Sequence, residues 1–414
     1  MRVAHVAPNY GDSSSAAWRI LNSQISIGMD AFGLVHNRKI DGPARQINGN
    51  LFGKSTSLMF ARATSAFNQR FYYRTEQNSP WTTKGWMPEL GKALRKNQPN
   101  VVNLHWLPSC IDLEDANSSV SADFVLTLHD VWPLTGGCHC SFDCQNWRIG
   151  CGECPQRTSR IPILISPVRD FQSKLNNYLQ IDSLSVVGPS KWICEMAEES
   201  PMFTKRRVFH IPNCIDGRVF LPLPRTAIRE AMNIDNDCQV LLFVVSGSLT
   251  QFHKGFDLLL KSLHVLSKDR DRNLLLMTVG DTSELKHIEI PIPALHLGQV
   301  SDELEMAKAY SAADVFLLPS RHDNYPNTVL EALSCGTRTV AFSVGGLVEL
   351  LRDESRGKLI PPFDHEEFSK SIASVIDNRL TEEQRSLLHD DIQQDHSPMR
   401  CAEQYKMVYE TIAT

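Results

Sequence analysis

The sequence predicts an α/β chain of two doubly wound domains, each a parallel sheet wrapped by helices. Short β-branched and apolar runs alternate with longer segments of helical periodicity, as such sheets require. The runs fall into two series, separated by a proline-rich stretch that holds no run of its own. The chain's 414 residues exceed one ordinary hydrophobic core. With 42% apolar and 21% charged residues it has material for sizeable cores and no disorder-prone bias. A formal net charge of -5 gives no general attraction to nucleic acid.

The first series is RVAHVAP (2–8), NVVNLHW (100–106), FVLTLHD (124–130) and SLSVVGPS (183–190). Each reads as a buried strand ending in polar or turn residues, and ligands gather at such carboxyl ends in open α/β sheets. The start, MRVAHVAPNY, lacks the long apolar core of a secretory signal, and no run approaches the ~20 apolar residues of a membrane span. Between the first two strands, residues 54–74 interleave Lys54, Arg62, Arg70 and Arg74 with Phe60, Phe67, Phe71, Tyr72 and Tyr73. That pattern fits an amphipathic helix, packed on its own domain or lying in an anionic lipid interface.

After the strand ending in His129-Asp130 comes TGGCHCSFDCQNWRIGCGECPQ. Cys138, Cys144, Cys151 and Cys154 have a spacing that can close around one tetrahedral structural zinc, with His139 and Cys140 as spare ligands. Unligated or reversibly oxidised thiols are the second reading and disulfides the third, since the absent secretory signal argues for a reducing cytoplasm. Six other cysteines, Cys110, Cys194, Cys214, Cys238, Cys335 and Cys401, stand singly and read as small buried hydrophobes.

Residues 1–208 are expected as the first domain, 209–235 as the linker, 236–395 as the second domain, and 396–414 as a C-terminal helix belonging to either domain or packing back on the first. The second series runs through VLLFVVSGS (240–248), NLLLMTVGD (273–281), ALHLGQV (294–300), ADVFLLPS (313–320) and TRTVAFSVGG (337–346). Its richest stretch is PSRHDNYPNTVLEALSCG, where a strand end turns through Asp323, Asn324 and Tyr325 into a helix with Pro326 near its start. A helix start offers unsatisfied backbone N–H groups to phosphate or sugar oxygens. Asp323 and Glu331, roughly 12 Å apart at 1.5 Å per helical residue, suit opposite ends of an extended ligand better than a paired acid and base.

This stretch resembles the acidic-x7-Glu element of the retaining glycosyltransferases of family 4. Further motifs agree in order along nearly the whole chain: Gly11 after the first strand, His129-Asp130, GPSKW (188–192), IPNCID (211–216), HKGFDLLL (253–260), SAADVFLLPS (311–320) and VGG (344–346). The Cys-rich run and NLHW (103–106) resemble a narrower branch of the colanic acid and exopolysaccharide type. The resemblance implies a GT-B fold, two Rossmann-like domains facing across a cleft. It implies Lys254 on the diphosphate of a nucleotide diphosphate sugar, Glu331 on the ribose hydroxyls, and Asp323 on the transferred sugar, with the backbone of the donor-binding residues Tyr325, Pro326, Asn327 and Thr328 nearby. Gly11 would let the backbone approach the pyrophosphate, and His129 would act at the anomeric centre. The Cys-rich loop would then shape acceptor recognition.

Two departures stand out. Ser248 occupies the region where the family has a diphosphate-binding arginine, so His253 or Arg321 would have to substitute, and Asp323 replaces the usual glutamate. The function implied is transfer of a sugar to a polysaccharide or lipid-linked oligosaccharide, in the cytoplasm or peripherally at the inner face of the cell membrane, with no catalytic metal. A GT-B nucleotide-sugar epimerase and a non-catalytic nucleotide-sugar-binding partner subunit remain alternatives.

Overall fold

The computed structural model describes residues 1–10, 15–38, 43–47, 72–74, 80–82, 90–105, 113–159, 166–244, 251–281 and 283–413. Gly11, Ser248, Cys110 and residues 54–71 of the basic aromatic segment lie outside the described residues. The end of that segment, Tyr72–Arg74, is extended and pairs antiparallel with Arg157–Ser159, so the helix expected over 54–74 does not run to its end.

The chain divides into two compact units, residues 1–212 with 398–414, and residues 213–397. The segment 209–235, expected as a linker, is shared between them. Val208–His210 is a strand of the first sheet, while Ile215, Phe220 and Ile234 are buried in the second unit's core. The helix Pro398–Ile412 belongs to the first unit, where it packs on the helix Ala16–Ser26.

In the first unit the strands are β1 (Arg2–Tyr10), β2 (Asp30–Arg38), β3 (Ala44–Gln46), β5 (Val101–His105), β6 (Asp123–Thr127), β8 (Leu184–Gly188) and β9 (Val208–His210). They form one parallel sheet in the order β3-β2-β1-β5-β6-β8-β9. The separate pair described above is β4 and β7. β5, β6 and β8 are covered on both faces, hence their near-continuous apolar runs. Ser190 of the GPSKW motif accepts from the Ile193 amide at 3.1 Å and caps the helix Lys191–Glu199.

The second unit holds β10 (Gln239–Val244), β11 (Leu274–Val279), β12 (Ala294–His296), β13 (Val315–Leu318), β14 (Thr339–Phe342) and β15 (Gly357–Ile360). These too are parallel, in the order β12-β11-β10-β13-β14-β15. Asp314, at the end of SAAD, is buried, and its Oδ2 accepts from Arg229 Nη2 at 2.9 Å and from the Val240 amide at 2.7 Å. It ties β10 to the start of β13 through charge-assisted bonds, the form in which a buried carboxylate is tolerated. Each sheet runs outward in one direction from its first strand and then in the other. The resulting switch points lie between β1 and β5 and between β10 and β13, where open sheets of this kind leave a crevice at the strand ends.

Candidate functional site

In the second unit the loops after β10 and β13 meet at the switch point. The turn Phe252–Lys254 ends at Gly255, whose backbone is left-handed with φ 68°. A Cβ there would stand 1.8 Å from the carbonyl oxygen of Pro319, so only glycine lets the two loops approach this closely. The Arg321 amide donates to the His253 carbonyl at 2.8 Å, and the Arg321 guanidinium forks onto Asp257 with two bonds of 2.7 Å. It also donates to the Phe252 carbonyl and lies 4.1 Å from the centre of that ring. Arg321 is therefore engaged in holding the loops together, which weighs against its expected role as a replacement diphosphate cation. His253 is buried in the same turn.

This stitching brings Lys254 Nζ to 3.8 Å from Asp323 Oδ2. Burial pushes the Asp323 carboxyl above its ordinary range, opposed by the Lys254 charge, the Asn324 amide and the Ser320 hydroxyl. Pro326 is the N-cap of the helix Asn327–Ser334, one position before the first helical residue. Asn213, of the IPNCID motif, donates to the Tyr325 carbonyl at 3.1 Å and to Asn327 Oδ1 at 3.0 Å, fixing that helix entry. The VGG motif closes it from the other side, with the Gly346 amide donating to the Asn324 carbonyl at 3.0 Å. Tyr325 is buried, its ring 5.9 Å from that of His396, while Asn327 and Thr328 are partly exposed at the helix start. Two turns on, Glu331 is 4% exposed and its Oε2 accepts from Tyr310 Oη at 2.8 Å. Tyr310, which sequence reasoning did not single out, lies in KAYSAAD (308–314) on the helix Glu303–Ala312 and orients that carboxylate.

In the first unit His129 follows β6, partly buried, with Nε2 2.9 Å from His105 Nδ1. Burial holds its imidazole down to about 4, against the raising effect of the adjacent Asp130. Asp130 turns elsewhere: Oδ1 accepts from the Trp132 amide at 2.8 Å, and Oδ2 lies 2.7 Å from His139 Nδ1. The other His139 nitrogen, Nε2, is 2.9 Å from Thr82 Oγ1. Both ring nitrogens of His139 thus have partners, and it is no spare metal ligand.

The Cys-rich loop is built differently from the expected zinc knuckle. Among the described residues no group of three or more His, Cys, Asp or Glu side chains is arranged to hold a metal ion, which corrects the assignment of Cys138, Cys144, Cys151 and Cys154 as ligands. All ten described cysteines are free of disulfides. The physical reason is that the loop has its own apolar anchors: Val131, Trp132, Leu134 and Trp147 are buried in the core of the first unit, and Cys151 is buried with them. Cys138 is also buried, whereas Cys144 and Cys154 are less so. Burial is the main cause that raises the Cys138 thiol to about 12 and the Cys151 thiol to about 11, and neighbouring thiols push the same way, Cys151 and Cys154 on Cys138 and Cys144 and Cys154 on Cys151. Cys151 Sγ accepts from the Gly136 amide at 3.2 Å. The nearby amine is that of Lys174, whose Nζ donates to the Trp132 carbonyl at 2.6 Å and lies 3.5 Å from the centre of the Trp132 ring.

With this geometry established, comparison with known proteins bears on unit and fold separately. Residues 239–378 match the family Glycosyl transferases group 1. This group 1 match covers most of the second unit, including Lys254, Asp323 and Glu331. Among curated relatives, D-inositol 3-phosphate glycosyltransferase of Geodermatophilus obscurus is 34% identical over 190 residues, 42% of this chain and 41% of that protein. Mannosylfructose-phosphate synthase of Agrobacterium fabrum is 30% identical over 181 residues, 39% of this chain and 38% of that protein. The chain therefore spans about two fifths of the length of these relatives. Over the whole chain the likeness is one of fold. Sucrose-phosphate synthase of Thermosynechococcus elongatus shares 16% identity at a TM-score of 0.65, covering 100% of this chain and 99% of that one. HepE of Anabaena, solved in complex with UDP-glucose, shares 15% at 0.65, covering 99% and 100%. The fold is GT-B, an α/β fold of two Rossmann-like domains. No helix among the described residues is long and apolar enough to cross a membrane.

Proposed function

We propose that this chain is a retaining GT-B glycosyltransferase that moves a sugar from a nucleotide diphosphate donor to a polysaccharide or lipid-linked oligosaccharide acceptor, of the family 4 type that builds exopolysaccharide or cell-surface glycan. The observation that carries the reading is the convergence of Lys254 and Asp323 at the switch point of the second unit, with Glu331 two turns down the following helix. The relatives named as glycosyltransferases and the neighbour solved with UDP-glucose support it.

In this reading the donor diphosphate exchanges with Asp323 for the Lys254 charge. The pair is 3.8 Å long, beyond hydrogen-bond reach, so the two charges face each other without a direct bond and a doubly charged ligand can take the lysine. The lysine then meets the negative charge that develops on the leaving nucleotide diphosphate, and the amides at Tyr325, Asn327 and Thr328 bind sugar or phosphate oxygens. Asp323, released from Lys254, accepts from a hydroxyl of the transferred sugar. Glu331, oriented by Tyr310, accepts from the ribose hydroxyls. His129 positions or stabilises charge at the anomeric centre. Gly11 and Ser248 complete the donor contacts. The protein works in the cytoplasm, peripherally at the inner face of the membrane when its acceptor is lipid-linked.

The test is a panel of nucleotide diphosphate sugars incubated with a lipid-linked oligosaccharide acceptor, with products weighed by mass spectrometry and the anomeric configuration read by NMR. A new glycoside with retained configuration, lost in Lys254→Ala, is the expected result. A converted sugar nucleotide without glycoside would assign an epimerase, and binding without turnover a non-catalytic subunit; either would overturn the proposal.

A further inference from the structure

The core of the first unit contains a file of three imidazoles. His5 Nδ1 is 2.9 Å from His105 Nε2, and His105 Nδ1 is 2.9 Å from His129 Nε2. The His5 and His105 rings stack at 5.1 Å, and those of His105 and His129 follow at 5.2 Å. His5 and His105 are fully buried. The far end of the file is closed by an amide: His5 Nε2 lies 2.9 Å from Gln24 Oε1. Burial holds His5 and His129 down to about 4 and His105 well below its ordinary value, so the three rings are neutral near pH 7.

A neutral imidazole carries one proton, so each ring donates at one nitrogen and accepts at the other. A file of such rings has only two arrangements, all pointing one way or all the other. The group at its end chooses between them. Gln24 is itself oriented: its Nε2 donates to Tyr409 Oη at 3.1 Å, and Asn103 Nδ2 donates to the same oxygen at 2.8 Å. Asn103 is set in turn by Thr127, whose hydroxyl donates to Asn103 Oδ1 at 2.9 Å. With its nitrogen spent on Tyr409, Gln24 presents its oxygen to His5, which must then carry its proton on Nε2. His5 Nδ1 accepts from His105 Nε2–H, and His105 Nδ1 accepts from His129 Nε2–H.

We propose that Gln24, oriented by Tyr409 and acting through His5 and His105, is a positioning residue that holds His129 as its Nε2–H tautomer and leaves Nδ1 as the nitrogen with the lone pair. The proposal rests on the reading of His129 as the residue at the reacting centre and deepens it by naming which nitrogen works. Any positive charge arising on His129 would be met at Nε2 by the His105 lone pair, a bond that strengthens when its donor becomes charged. The C-terminal helix thereby joins the site: Tyr409 lies 385 residues beyond Gln24 in sequence and is the hydroxyl on which the amide turns.

Ring nitrogens with and without a proton resonate far apart, so the full chain labelled with 15N-histidine reports each tautomer by NMR, with signals assigned by difference from His5→Gln, His105→Gln and His129→Gln. The parent is expected to show Nε2–H at all three rings. Gln24→Met, which removes the amide, and Tyr409→Phe, a milder change that frees the amide to turn, should both scramble that order. Gln24→Glu, which keeps an acceptor oxygen toward His5, should restore it. Transfer kinetics should follow the tautomers: kcat down about fivefold or more in Gln24→Met, recovered in Gln24→Glu, with KM for the donor within about twofold of the parent throughout. A parent with reversed or mixed tautomers overturns the proposal. So does unchanged tautomer order in both Gln24→Met and Tyr409→Phe. Scrambled tautomers with unchanged kcat would uphold the relay and overturn the catalytic reading of His129.

Discussion

Replacing Gly255 by alanine tests how the loops after β10 and β13 are held, and its cost divides into two parts. The first is conformational: φ 68° and ψ 24° are left-handed, which costs a non-glycine residue about 1 kcal/mol. The second is steric. A Cβ 1.8 Å from the Pro319 carbonyl oxygen forces the loop after β13 to retreat by about 1.5 Å or more before ordinary van der Waals separation is restored. Displacements of this kind in packed regions cost about 1–3 kcal/mol, giving a total near 2–4 kcal/mol. Gly298 supplies the control, since it has φ 71° but no atom within 4 Å of an added Cβ, so Gly298→Ala should lose only the first part. All seven tryptophans precede residue 213, so tryptophan fluorescence reports the first unit; the second is read by native-state hydrogen exchange of the β10 and β13 amides. Because Pro319 leads directly to Asp323, the retreat also separates Asp323 from Lys254, and affinity for whichever nucleotide diphosphate sugar the donor panel identifies should fall about tenfold or more by calorimetry. Equal protection and equal affinity in Gly255→Ala and Gly298→Ala would refute the tight approach of the two loops.

Glu331→Ala should weaken binding of the nucleotide sugar by about 1–3 kcal/mol in calorimetry, and unchanged affinity would remove Glu331 from the donor site. His129→Ala should lower kcat while donor affinity stays near the parent's, as expected of a group that acts mainly in the transition state; a kcat within about twofold of the parent would make His129 structural. Stability of the first unit should fall as pH drops from 6.5 toward 4. Over that window the unfolded chain binds protons that buried His5 and His129 do not, at up to about 1.4 kcal/mol per pH unit for each; a flat fluorescence-monitored profile would contradict their burial. Lys174, held down to about 7 by burial, acts in the same direction between pH 7 and 10.5, so stability relative to Lys174→Met should rise across that range, and a constant difference would show the amine to be solvated.

The parts legible in the sequence are those whose physics is local. A strand covered on both faces must be a run of apolar, mostly β-branched residues, and VVNLH, DFVLT, LSVVG and QVLLFV announced themselves that way. β2, DAFGLVHNR, did not, because glycine, histidine and asparagine interrupt its apolar residues, and the short β15, GKLI, offers only two of them. The turn HKG and the stretch PSRHDNYPN were legible for the same reason, since each packs its glycine, proline or acidic residue within a few positions. Their meeting was not, because it depends on Gly255 against Pro319, 64 residues apart. The thiols show the converse error. Cys-x5-Cys-x6-Cys-x2-Cys spacing is compatible with a ligand sphere, but spacing is blind to Trp132, Leu134 and Trp147, which fold the loop by burying themselves.

The two sheets differ at their centres in a way that stability does not explain. β10 and β13 meet in the second unit with Leu241, Leu242, Phe243, Val315, Phe316 and Leu317 buried, an apolar arrangement in which each large side chain contributes roughly 1.5–3 kcal/mol. At the same place in the first unit β1 and β5 bury His5, Asn103 and His105, with Gln24 and Thr127 buried beside them. Hydrogen bonds made inside a protein replace bonds to water and return only about 0.5–1.5 kcal/mol net, while any member left unsatisfied costs more than that. A sheet needing only to be stable would be better served by the apolar solution that the same chain uses in its other half. The polar file instead fixes the orientation of one partly exposed ring, His129, at a strand end, and it does so through groups from β1, β5, β6 and two helices that no local change can reproduce. Its cost to the fold is intelligible if the direction of that ring's proton is what the first unit has to determine.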